Sequence, residues 1–155
     1  MGGAVAIVAA GLLSDRVQHL VLAEPNLDPG GGTFSRKIAA MPEADYVVHG
    51  HDDLVRASRA ERNGIWAASL SISAPHAVHR SAASLVAGSA PTWREQLYAL
   101  TVPRVLIFGE ASLPDADTER LPRRGVNIDI VPAAGHSMAW QNPMGLASAL
   151  RRALA

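Results

Sequence analysis

Residues 125–154, GVNIDIVPAAGHSMAWQNPMGLASALRRAL, leave the chain few architectures to choose from. Residues 126–131 alternate Val-Asn-Ile-Asp-Ile-Val and are rich in β-branched side chains, which predicts a strand ended by Pro132. A short loop of small residues then carries Gly135 and His136, and Asn142 as N-cap with Pro143 at the first helical position opens a terminal helix. A histidine is thus delivered to the carboxyl end of a strand. Open α/β sheets place their chemistry at that end, and an imidazole there can carry protons near neutral pH. The plainer alternative is a loop histidine satisfied by backbone or water.

The same residues hold a near-match to a nucleophile elbow, since Gly135-His136-Ser137-Met138-Ala139 lacks only the second glycine of G-x-S-x-G. Ser137 is rejected as nucleophile. An elbow needs its strand to run straight into the first glycine, and Pro132-Ala133-Ala134 intervene here. Ser137 also lies too near the carboxyl end for a catalytic histidine to follow it.

The 155 residues are 48% apolar, enough to bury one core. Fourteen basic residues balance fourteen acidic ones, which leaves no basic stripe for nucleic acid and favours a small neutral partner. Cysteine is absent from the sequence, so a disulfide framework, a thiolate metal site and a cysteine nucleophile are excluded within it. The apolar run 4–13 lacks a basic leader and is much shorter than the roughly 20 residues that span a bilayer. The expectation is a soluble, cytoplasmic protein that does not enter a membrane.

The chain opens Met1-Gly2-Gly3 and continues as a helix apolar on nearly every face, the mark of burial in a larger body. Asp15-Arg16 form a polar turn, residues 17–23 (VQHLVLA) read as a buried strand, and Glu24 follows at once. Here the chain resembles the carboxyl-terminal two thirds of an α/β-hydrolase-fold enzyme, whose nucleophile elbow commonly reads Gly-His-Ser-Met-Gly-Gly before a buried helix, a polar turn and a strand. Met1-Gly2-Gly3 matches the second half of that elbow. The resemblance implies that the nucleophile stands just before Met1 and that the chain begins one residue too late, without the strands that precede the elbow. The Met1 nitrogen then falls where an oxyanion-hole donor belongs.

Asn26 to Gly32 is a turn-rich exit from the strand. Its three glycines suggest a phosphate cradle, but no Lys-Ser or Lys-Thr follows, so a hinge into a lid is the better reading. Residues 33–100 read as a series of short helices: 34–41, one capped by Asp52 and running to Arg62, 65–72, one from Pro75 to near Gly88, and one opened by Pro91. They resemble the helical cap of the family. Domains are therefore expected at 1–28 with 101–155 for a partial core and 29–100 for the cap. Tyr46, Trp66, Trp93 and Tyr98 either line an acyl or alkyl pocket or pack the cap. His49 and His51 beside Asp52 and Asp53, and His76 with His79, have metal-like spacing. A capping loop and a solvated helix face explain both pairs, so neither a metal nor a cofactor is expected.

Residues 104–108 form another buried strand, ended by Gly109. In the family its commonest continuation, Gly-x-x-Asp, places the acid that orients the histidine, whereas Gly109-Glu110-Ala111-Ser112 puts a serine there. Some members carry the acid after the preceding strand instead, and Glu24 in Leu22-Ala23-Glu24-Pro25 matches that position. Glu24 is preferred to Asp115, which lies beyond Pro114, with Glu110 third.

The expected fold is α/β, a three-stranded parallel-sheet fragment with an inserted helical lid. By resemblance the function is hydrolysis of an ester, thioester or similar small apolar substrate, with His136 as base then acid, Glu24 or Asp115 orienting it, and no nucleophile within the chain. A single copy is expected to be inactive. Two alternatives stay open: a non-catalytic fragment or binding module, and an aspartate-nucleophile enzyme acting on carbon–halogen or epoxide bonds, because fold does not fix chemistry. The strand 17–23 and the first helix lack their usual cover, which predicts self-association or a partner segment completing the sheet.

Overall fold

The sequence folds, in a computed structural model, around a sheet of three parallel strands: β1 (Leu20–Ala23), β2 (Arg104–Gly109) and β3 (Val126–Val131), in the order β1-β2-β3. Residues 1–61 and 63–155 are described, Ser14 by its backbone alone. The helices are α1 (Gly2–Leu12), α2 (Thr33–Ala39), α3 (Glu43–Asp45), α4 (His51–Ala60), α5 (Gly64–Ser71), α6 (Pro75–Ala87), α7 (Trp93–Ala99), α8 (Asp117–Arg120), α9 (Met138–Gln141) and α10 (Pro143–Ala153). Among the described residues no helix is long and apolar enough to cross a membrane.

β2 is the central strand and is buried from Val105 to Gly109, as a near-continuous apolar run requires. One face of the sheet carries Val105, Ile107 and Val131, which pack with Ala134, Met138 and Ala149. Asn142 caps α10 by accepting from the Gly145 N–H at 2.8 Å, with Pro143 at the first position, as the sequence predicts.

β1 is shorter than the expected 17–23. Its ladder starts at Leu20, paired with Arg104, and the Leu20 N–H donates to the Pro103 carbonyl at 2.9 Å. Pro103 has no N–H to return a bond, so the ladder stops there. Helix α1 buries Ala4, Ile7 and Ala10, but Val5 and Leu12 are 60% and 80% exposed. Only one of its apolar faces is covered among the described residues.

The contacts divide the chain into a sheet unit, Met1–Leu27 with Ala90–Ala155, and a helical unit, Asp28–Ser89. The division falls before α7, not at residue 100 as expected. α7 packs on α1, buries Trp93 and Leu97, and is opened by Thr92 in a capping box with Glu95 rather than by Pro91. In the helical unit the expected cap Asp52 lies inside α4, because a π-helical turn (Tyr46–Gly50) joins α3 to α4 without a break. The expected helix end at Arg62 lies outside the described residues.

The helical unit has its own core of Ile38, Tyr46, Leu54, Val55, Leu70 and Ala82. Two histidines belong to it. His51 is 4% exposed, with Nδ1 3.0 Å from the Tyr46 hydroxyl and Nε2 3.1 Å from the Leu70 carbonyl. His79 is buried, with Nε2 2.7 Å from the Met41 carbonyl. Both replace the expected solvated or capping roles with structural ones, since a buried imidazole needs such partners.

Candidate active site

At the carboxyl ends of the strands, three separate pieces of chain converge. β1 is followed at once by Glu24, whose backbone takes φ 40, a left-handed conformation that a non-glycine residue rarely adopts. The Glu24 N–H still donates to the Ile107 carbonyl at 3.1 Å, so the turn occurs at the last rung of the ladder. Its carboxylate then uses both oxygens: Oε1 accepts from the Gly109 N–H at 2.8 Å, and Oε2 lies 3.0 Å from His136 Nδ1.

The Glu24 side chain is 12% exposed while that of His136 is 78% exposed. A carboxylate only accepts, so Nδ1 carries the proton and a neutral ring keeps Nε2 as a free acceptor. Among the described residues no serine hydroxyl hydrogen-bonds that nitrogen.

The loop bearing His136 is held at every step. Asn142 Nδ2 donates to the Pro132 carbonyl at 2.8 Å, the Ala133 N–H donates to Glu110 Oε2 at 2.8 Å, and the Ala111 N–H donates to the Ala134 carbonyl at 2.8 Å. The Gly135 N–H donates to Gln141 Oε1 at 2.7 Å. A side chain at Gly109 has no room, because a Cβ there would sit 2.5 Å from the Ala134 carbonyl oxygen and 2.6 Å from the Gly135 Cα.

The structure therefore brings Glu24 and His136 together, while neither Asp115 nor Glu110 bonds the imidazole, Glu110 binding the Ala133 N–H of the same loop instead. Asp115 Oδ1 accepts from the Asp117 N–H at 2.7 Å, in front of α8. Ser137 is exposed, and its carbonyl accepts from the Trp140 and Gln141 N–H groups. Met1 is 47% exposed, and burial of its amino group pushes that group below its ordinary range. No three histidine or carboxylate side chains among the described residues are placed to hold a metal. The Gly109 N–H, Gln141 and Ala111 carry no pattern in the sequence; their roles follow only from the close approach of two loops. An apolar depression between α1 and α7, lined by Ile7, Ala10, Leu100 and Val102, includes neither Glu24 nor His136.

The three parallel strands with helices between them form a fragment of the α/β-hydrolase fold, as the likeness to solved structures shows. Similar solved structures include the enol-lactonase from Burkholderia xenovorans LB400, at TM-score 0.71 and 16% identity over 99% of this chain and 62% of that one. A thermophilic esterase from Thermogutta terrifontis aligns at TM-score 0.62 and 21% identity, over 99% of this chain and 61% of its own. The thioesterase domain from the curacin biosynthetic pathway aligns at TM-score 0.62 and 15% identity, over 96% and 63%. The chain thus spans about three fifths of the structures it resembles. No family model and no curated protein matches the sequence.

Proposed function

We propose that this chain carries the acid–histidine half of a hydrolase active site for an ester, thioester or similar small apolar substrate. The observation that carries the reading is the double use of the Glu24 carboxylate, tied to the Gly109 N–H and to His136 Nδ1. That arrangement fixes one imidazole tautomer and places a negative charge where imidazolium forms. His136 takes the nucleophile's proton through Nε2 and returns it to the leaving group. The nucleophile is supplied from outside these residues, on the amino side of Met1, and the Met1 N–H of such a chain serves the oxyanion. The helical unit inserted between β1 and β2 takes the part of the cap. The free edge of β1 takes a further strand, from a preceding segment or a partner chain.

Hydrolysis of p-nitrophenyl acetate by the 155-residue chain tests this, with a rate no faster than that of its His136→Ala variant expected. A chain in which Gly-x-Ser precedes Met1 should hydrolyse it, and should lose several orders of magnitude on His136→Ala. A His136-dependent burst that labels a serine of the 155 residues, Ser137 first among them, would overturn the assignment.

A further inference from the structure

We infer that Glu110 is a positioning residue for His136, acting through the backbone of Ala133; the inference rests on the acid–histidine reading above. Ala133 has φ 51, a left-handed conformation that an alanine adopts only under strain, so something must hold it. The bond from the Ala133 N–H to Glu110 Oε2 at 2.8 Å is that hold, and a charged acceptor makes it stronger than a neutral one.

Glu110 is well placed for the task because it follows Gly109 directly. Three consecutive residues at the exit of β2 then serve both halves of the pair: the Gly109 N–H binds Glu24, the Glu110 side chain binds Ala133, and the Ala111 N–H binds the Ala134 carbonyl. Glu110 is the only one of the three that acts through a side chain. A shift in the exit of β2 moves acid and histidine loop together, and loss of the Glu110 carboxylate moves the loop alone.

The experiment is nitrogen-15 NMR of histidine-labelled protein at a pH where the imidazoles are neutral, read for the His136 tautomer and for exchange of its Nδ1–H. His51 is an internal reference of the opposite kind, since its Nε2 faces the Leu70 carbonyl and must be the protonated nitrogen. Glu110→Ala is expected to lose the Nδ1–H tautomer of His136 while leaving His51 unchanged. Glu110→Gln, whose amide oxygen still accepts, is expected to keep it. If Glu110→Ala does not fold, Glu110→Asp decides, because it keeps the charge and is one methylene too short. Retention of the wild-type signature in the folded Ala or Asp variant overturns the inference, as does its loss in Glu110→Gln. Glu24→Ala separates the two readings. If it leaves the His136 tautomer unchanged, the acid–histidine pair itself fails and this inference falls with it; if it abolishes the tautomer while Glu110→Ala does not, only the role of Glu110 fails.

Discussion

Gly109→Ala is the sharpest single test of how the site is built. Gly109 has φ −77 and ψ 137, an extended conformation open to any residue, so the substitution carries no backbone penalty. What remains is steric. An alanine Cβ would stand 2.5 Å from the Ala134 carbonyl oxygen and 2.6 Å from both the Cα and the carbonyl oxygen of Gly135, against ordinary contacts of 3.4–4 Å. The nearest gap must open by 3.4 − 2.5 = 0.9 Å, and both neighbours are backbone that cannot swing aside as a side chain would. Overpacking of this kind costs about 1–3 kcal/mol, or roughly 2–12 °C of melting temperature at this chain length. The same displacement applied to the 3.0 Å contact between Glu24 and His136 stretches it beyond hydrogen-bond range. Thermal melting followed by circular dichroism, with the His136 tautomer read by NMR, measures both effects. Gly64→Ala is the control, because nothing lies within 4 Å of a Cβ there, and it should be neutral or slightly stabilising in α5. A Gly109→Ala variant that melts with the wild type and keeps the His136 signature would refute the steric reasoning.

In the helical unit, Tyr46→Phe removes the donor to His51 Nδ1 and should cost about 1–3 kcal/mol in chemical denaturation, because a buried acceptor loses its partner. Burial raises the Tyr46 hydroxyl above its ordinary value of 10.0, so its contribution is complete below that value and fades as pH climbs through the raised one; the phenylalanine variant should lack this alkaline loss. Asp129 is held below the usual carboxylate range chiefly by its hydrogen bond from Arg152. The stability it gives is present above its unfolded value and lost as pH falls through the lowered one, so Asp129→Asn should flatten the acid limb of a stability–pH curve slightly, the pair being solvent-screened. Sedimentation should show concentration-dependent self-association through the exposed Val5–Leu12 face or the β1 edge, and a stable monomer melting cooperatively would contradict that expectation.

Local chemistry made most of the sheet unit legible. Residues 104–109 and 126–131 carry strand patterns that do not depend on distant contacts, and Asn142-Pro143 is a local helix-start signal that α10 obeys. The misses have distant causes. The start of β1 depends on a missing N–H at Pro103, 83 residues beyond Leu20 in sequence, and no reading of residues 17–23 alone contains it. His51 reads as part of a capping loop and His79 as part of a solvated helix face because their partners, the Leu70 and Met41 carbonyls, are invisible as residue types. The division of the chain before α7 follows from the burial of Trp93 and Leu97 against the sheet unit, which a count of helices between two strands does not reveal.

The two acid candidates are the most instructive case, because distance along the sheet favours Asp115 while the structure sets Glu24 beside His136. β1 and β3 are separated by β2, so Glu24 must cover about two strand spacings of roughly 4.8 Å to reach the histidine loop. Asp115 follows the strand next to β3 and starts nearer, yet it is displaced beyond Pro114 and already accepts from the Asp117 N–H. Glu24 crosses the gap because three conditions hold together. The left-handed turn at its own backbone aims the side chain along the strand ends, its length spans the first spacing, and Gly109 offers no side chain at the end of β2. The Gly109 N–H then binds Oε1 midway and leaves Oε2 for His136. Glu24 reaches His136 past a residue with no side chain at the end of β2, so the two signals, Ala-Glu-Pro at 23–25 and Phe-Gly-Glu at 108–110, act as one feature split by 82 residues of intervening chain.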